Sequence, residues 1–337
     1  MMHLSSVLPA FVAALPLVAA RPPDTTTLET RGHVNPWTSS VITQFPELMY
    51  QREFEEVAYR ANINGPESWL KTLTEFHNRH HRSSHGAEAG KWLLGQIKSI
   101  TASNPDIEVT TFQHEFDQPS IIAKIPGTED ELTVIIGTHY DTAAEDVDAR
   151  APGANDNGSG VVTHLEALRL FAEAKWQSRN HVEFHFYAGK NGGNLGSKAV
   201  LAGYAQRQAE KSGPKVLAFL NQERTGSGPQ YRIHICTEYQ YTGGESGVLY
   251  THTQKVTEEY FGHYALHDDH CYKRVGDFLS AHDNGFPSVR ISAEDVPYFD
   301  PERYEDAEHD KLKFIHWFPI LRHVYFTIAW AVETSHY

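Results

Sequence analysis

Cysteine is nearly absent: the 337 residues contain two, Cys236 and Cys271. That excludes a structural zinc site of four thiolates and a multi-bridge disulfide scaffold. Whether the two pair or stay free is open. Positive charge is also scarce. Lys and Arg total 29 against 43 Asp and Glu, a formal net charge of −14 with no long basic run, so a nucleic-acid backbone is not an expected partner. Nor does any apolar run reach the roughly 20 residues that span a bilayer. The first such run, ending Val18-Ala19-Ala20, contains Pro9 and Pro16 and is followed by Arg21-Pro22-Pro23. It reads as a secretory leader, 1–20, cleaved after Ala20, which places the protein outside the cell and not in a membrane. Val324 to Val332 is shorter still and reads as part of a core helix.

What is present suits one α/β domain. A hydrophobic share of 40% can build a sizeable core, and a single domain of about 250–300 residues after a leader fits the length. Residues 21–62 are polar, with scattered Pro and Thr and no sustained period, and read as a pro-segment or N-terminal arm. The domain is expected over 63–337. Trp69, Leu70, Leu73 and Phe76, then Trp92, Leu93, Leu94 and Ile97, recur at helical spacing across a polar turn at Arg79–Gly86. Four apolar strands are expected at Leu132–Gly137, His181–Ala188, Lys215–Leu220 and Pro287–Ser292. Helices are expected at about Gly158–Trp176, Ser197–Glu210, Thr253–Tyr264 and Leu312–Val332. The alternation implies a mostly parallel central sheet flanked by helices, with active groups on loops beyond the strand C-termini.

Unusual residues cluster on those loops. The first strand ends in Gly137-Thr138-His139-Tyr140-Asp141, where a His two residues before an Asp reads either as a metal ligand with its orienting carboxylate or as a surface His. Ten residues on, Ala151-Pro-Gly-Ala-Asn-Asp156-Asn-Gly-Ser-Gly160 leads into a helix. Asp156 there is either a ligand facing the strand ends or a helix cap.

Taken together, Phe76-His-Asn-Arg-His-His, Gly137-Thr-His-Tyr-Asp, the segment 151–160, Asn194-Leu-Gly-Ser197 and Gly285-Phe-Pro287 resemble the secreted leucine aminopeptidases of clan MH. The likeness runs from about Asn62 to the C-terminus. It implies their fold and a site with two zinc ions about 3.5 Å apart, bridged by one Asp. It gives His139 the role of a zinc ligand, Asp156 that of the bridging Asp and Asp141 that of the carboxylate behind the His. The next strand departs from the pattern. Where the family has Tyr-Ala-Gly-Glu-Glu-Gly-Gly, this chain has Tyr187-Ala-Gly-Lys190-Asn191-Gly-Gly, so Lys190 stands at the general base and Asn191 at a Glu ligand. Glu223 stands at an Asp ligand, and Phe278 at a His ligand. Tyr239 matches a Tyr that polarises the scissile carbonyl, and the family's short cysteine loop keeps Cys271 but has Val275 at its second position.

These exchanges make the pocket about three charge units more positive, two for Glu to Lys and one for Glu to Asn. An ammonium about 5 Å from a dication is repelled by several kcal/mol at an effective dielectric near 20. His139, Asp156 and Glu223 leave two loadings open, a single zinc or none. Lys190 is expected to fill a vacated metal position and pair with Asp156 or Glu223, with a surface Lys or a reactive amine as the alternatives. The functions that remain are a silent or impaired aminopeptidase homologue that holds a peptide or amino-acid-like ligand, a one-metal exopeptidase, and a repurposed enzyme acting on a peptide or amide. His77, His80, His81 and His85 read as a solvated helix end. Asn157-Gly-Ser159 is a glycosylation sequon by letter only, inside a loop with no room for a glycan.

Overall fold

The structure, a computed structural model, describes residues 44–337 apart from 130, 143–145, 229–231, 238–243, 269–275 and 294–309. The expected leader, most of the expected arm, Tyr239 and Cys271 lie outside the described residues. Eight strands form one sheet: β1 Glu108–Phe112, β2 Ser120–Ile125, β3 Leu132–His139, β4 His181–Tyr187, β5 Lys215–Gln222, β6 Ile233–Cys236, β7 Leu266–Asp268 and β8 Ser288–Ser292. Their order is β1-β2-β4-β3-β5-β8-β6-β7. The centre, β4-β3-β5-β8, is parallel, as the uninterrupted apolar runs imply. β2 joins β4, and β6 joins β8, in antiparallel fashion, so the sheet as a whole is mixed.

The strand alternation divides the core between two faces. Val134, Ile136, Phe184, Phe186 and Leu220 meet residues of α4 (Gly160–Ala174) and α8 (Trp317–Ser335) on one face. Ile135, Tyr187 and Phe219 meet Leu201 and Tyr204 of α5 (Leu195–Ala209) and Phe278 of α7 (Asp277–Asp283) on the other. α4 is apolar around most of its circumference, and almost all of it is buried, as that composition requires. Among the described residues no helix is long and apolar enough to cross a membrane.

Three expectations are corrected. The packed domain begins before residue 63: α1, Gln51–Ala58, buries Val57 and Ala58, and Phe45 stacks on His252. The backbone N–H groups of Met49 and Tyr50 donate to the Glu333 carboxylate of α8 at 3.1 and 2.9 Å. Polar composition hid this because α1 spends few apolar residues, and part of its anchoring is that carboxylate at its N-terminus. Secondly, the polar turn between α2 (Asn64–Glu75) and α3 (Ser84–Thr101) stops short of Gly86. Ser83 caps α3, its hydroxyl accepting from the Gly86 N–H at 2.9 Å. Thirdly, the four-histidine run is not wholly solvated. His77 is exposed, but His81 is buried against Phe116.

Candidate functional site

Strand ends bring the site together. His139 closes β3, and its buried imidazole lies with Nδ1 3.5 Å from Asp141 Oδ1 and Nε2 3.2 Å from Asp156 Oδ1. Asp141 ties two strand ends to each other. Its Oδ1 accepts from the Lys190 N–H at 2.8 Å and its Oδ2 from the Asn191 N–H at 2.9 Å, just past β4. Burial alone would raise the Asp141 carboxyl; the contact with His139 and these backbone donors outweigh it and hold the group below its ordinary value.

The loop that carries Asp156 is gripped from both sides. The wholly buried Arg79 guanidinium donates to the carbonyls of Tyr140 and Gly153 at 2.8 Å each, to Leu73 at 3.1 Å, and to Pro152. From the other side Asp310 accepts the N–H groups of Asn155 and Asp156 at 2.8 and 2.7 Å. Gly153 adopts φ +54°, where a Cβ would stand 2.2 Å from Thr142 Cγ2, and Gly160 lets the Asn157 amide and Thr138 hydroxyl approach. Asn157 is fully buried, its amide donating to Thr138 Oγ1 at 2.7 Å while its oxygen accepts from the Arg224 N–H at 2.9 Å. A glycan has no access there.

Lys190 enters between the carboxylates. Its Nζ lies 3.9 Å from Asp156 Oδ1 and 3.9 Å from Glu223 Oε2, with 6% of the side chain exposed. Two further cations stand behind those acids: Arg224 Nη2 is 2.7 Å from Asp156 Oδ2, and Arg290 Nε is 3.3 Å from Glu223 Oε2. Burial opposes the charged ammonium, yet Asp156 and Glu223 outweigh it and hold Lys190 above its ordinary value. Burial likewise opposes a charged His139, as does Lys190, but Asp141 and Asp156 prevail and lift the imidazole to about 9. Lys190 and His139 are therefore both cationic at neutral pH.

The structure thus brings His139, Asp141, Asp156, Lys190 and Glu223 together. It separates the other two. Asn191 is exposed, and its amide turns back to Asp141 Oδ2 at 3.1 Å. Phe278 is fully buried in the aromatic cluster with Tyr187 and Phe219. Sequence reasoning missed Arg79, Asp310, Arg224, Arg290 and Asp277. Burial pushes the Asp277 carboxyl up to about 6, with His139 pulling the other way. The signal for Arg79 was in plain view, as a lone Arg inside the Phe76-His-Asn-Arg motif. Cys236 is disulfide-bonded; Cys271, whose pairing the sequence leaves open, is among the residues not described.

Residues 120–331 match the model of Peptidase family M28. Leucine aminopeptidase 1 of Arthroderma otae is 35% identical over 284 residues, 79% of this chain and 72% of the relative. The chain belongs to peptidase family M28. Leucine aminopeptidase 1 of Pyrenophora tritici-repentis, at 34% over 288 residues, covers 81% of this chain and 70% of its own length, and places the chain with the leucine aminopeptidase type of M28 metallopeptidases. Among solved structures, LapA aminopeptidase of Legionella pneumophila superposes with a TM-score of 0.76 at 22% identity, over 86% of this chain and 76% of LapA. A glutaminyl cyclase of Bacteroides thetaiotaomicron bound to N-acetylhistamine gives 0.63 at 16%, over 82% and 98%. Both speak for the fold alone.

The M28 family implies zinc, so the donor set can be tested against it. His139 Nε2, Asp156 Oδ1 and Glu223 Oε1 are buried atoms without an aligned hydrogen bond among the described residues, and their chemistry suits zinc. Their arrangement does not. Lys190 lies within ion-pair range of both carboxylates, and the arginines take further charge from each. No group of three ligating side chains among the described residues is placed to hold an ion. The residues present do not fit the family's metal pair, nor, as they stand, a single ion.

Proposed function

We propose that this chain is a secreted homologue of the M28 leucine aminopeptidases in which peptide hydrolysis is lost or strongly impaired, and whose inherited cleft holds a peptide or amino-acid-like ligand. The observation that carries the reading is the Lys190 ammonium, 3.9 Å from both Asp156 and Glu223. It stands where the family likeness places a carboxylate base. A protonated amine has no lone pair with which to take a proton from water. The exposed Asn191 and the buried Phe278 offer no replacement for the two missing ligands. Asp156 and Arg224 keep 22% and 14% of their side chains exposed, so the cluster still opens to solvent and can be reached by a ligand. The disulfide at Cys236 supports an oxidising, extracytoplasmic destination.

The test is zinc content by elemental analysis of the secreted protein, together with leucine release from a chromogenic amide, with and without added zinc. No more than one zinc per chain and no release above background are expected. Two zincs with robust turnover would overturn the reading. A second reading, a one-metal exopeptidase using His139, Asp156 and Glu223, has for it the three atoms that lack aligned hydrogen bonds and against it the Lys190 ammonium between the two carboxylates. One tightly held zinc with turnover that chelation abolishes would select it.

A further inference from the structure

Asp156 and Glu223 belong to separate parts of the chain, one in the loop before α4 and one at the end of β5. Lys190 arrives from a third, just past β4. Drawing such segments to a common buried point charge is the structural work that metals perform in proteins. Here the outer oxygen of Asp156 is held by Arg224 at 2.7 Å, and Glu223 Oε2 is backed by Arg290 at 3.3 Å. Asp156 Oδ1 is left facing His139 Nε2 at 3.2 Å and Lys190 Nζ at 3.9 Å.

We infer that the Lys190 ammonium replaces a metal as the structural cross-link of this cluster, so that the domain folds independently of zinc, and that removing the ammonium makes the cluster zinc-responsive. The inference rests on the reading that the chain carries no metal pair. His139 Nε2, Asp156 Oδ1 and Glu223 Oε1 are buried atoms without an aligned hydrogen bond, and the first two lie 3.2 Å apart; Lys190→Ala takes away the cation that stands 3.9 Å from each of the two carboxylates. One imidazole nitrogen and two carboxylate oxygens are a donor set that zinc accepts. The side chain is thus both the clamp and the plug.

Thermal unfolding of the full chain, in EDTA and in excess zinc, tests this with Lys190→Ala, Lys190→Met and Lys190→Arg. The wild type is expected to melt at the same temperature in both media. Lys190→Ala and Lys190→Met are expected to melt about 5–15 °C lower in EDTA, because buried carboxylates lose their central partner. Zinc should restore more than half of the loss in Lys190→Ala, whose side chain leaves room, and little in Lys190→Met, whose side chain does not. Cobalt should give Lys190→Ala a visible absorption band that the wild type lacks. Lys190→Arg, which keeps the charge, should lose least. If Lys190→Ala does not fold in EDTA, recovery of folded protein on refolding in zinc gives the same answer, and Lys190→Met still reports on the charge.

Wild-type melting in Lys190→Ala and Lys190→Met, or a Lys190→Arg loss as large as that of Lys190→Met, would overturn the inference. So would Lys190→Ala that gains nothing from zinc. These outcomes leave the functional reading intact as long as the wild type stays metal-free and inactive. A wild type that zinc stabilises and activates would defeat both.

Discussion

Arg79 shows how one side chain can hold a site that it does not enter. Four carbonyls, from Leu73, Tyr140, Pro152 and Gly153, converge on its guanidinium. Burial lowers its pKa to about 10, with Asp310 and Asp141 partly offsetting the effect, so it stays charged at neutral pH. Replacing it with Met strands those acceptors in the interior. A lost bond to a charged group and an unsatisfied buried acceptor each cost about 1–3 kcal/mol. Arg79→Met is therefore expected to cost at least about 3 kcal/mol by urea denaturation, and Arg79→Lys to recover less than half of that, because an ammonium has no planar fork. A loss below about 1 kcal/mol in Arg79→Met would remove the residue from this role. His139, Lys190 and Glu223 were legible because each lies in a motif at a strand end, and Asp156 because the Gly-rich segment 151–160 before α4 carries it. Arg79 stood in a motif but its role was not readable, and Asp310 stood in none, because all but one of their partners named above are backbone groups 61 to 155 residues away, and no local pattern records such a bond. Arg224 and Arg290 each look like one more surface charge until the fold sets them behind a buried acid.

Strands and helices with strong periodicity were readable; short edges were not. β3, β4 and β5 are apolar enough to announce themselves. β1 is mostly exposed, and β6 and β7 have four and three residues. Such segments become strands because a neighbour offers its free edge, not because their own composition demands it. α1 is a similar case. Glu333 accepts the N–H groups of Met49 and Tyr50 and the hydroxyl of Tyr260 at 2.6 Å. Glu333→Ala leaves two backbone donors at the head of α1 without their acceptor, at about 1–3 kcal/mol for the pair if water partly replaces it. The expected signature is local: faster hydrogen exchange in residues 45–58, with β3 and β4 unchanged. Equal protection of 45–58 in variant and wild type would show that packing alone holds the helix.

The acid response belongs to the domain as a whole. Burial lowers His164 and His252 to about 3 and His323 and His114 to about 4. Each is kept neutral in the fold but takes up a proton near 6.5 when unfolded, so its contribution is complete above that pH and declines as the pH falls toward 3–4. The slope is about 1.4 kcal/mol per pH unit for each group. Asp277 and Asp310, raised to about 6 by burial, oppose this between about 6 and 4, since the fold favours their protonated forms. Four groups against two leave a net loss of stability with acid. His139, lifted to about 9, works on the alkaline side: its share is complete below 6.5 and is lost as the pH rises through 9. The melting temperature should therefore peak near neutrality and fall by pH 5. A higher melting temperature at pH 5 than at pH 7 would show that the buried carboxyls dominate.

The bond from Met49 to Glu333 spans 284 residues of sequence. A ribosome delivers a chain from the N-terminus, so α1 is made well before its acceptor on α8. Until α8 emerges, the N–H groups of Met49 and Tyr50 lack this acceptor, and α1 has only its other contacts, such as Glu53 with Trp176, to hold it. The first described helix waits for the last described helix to complete its seat.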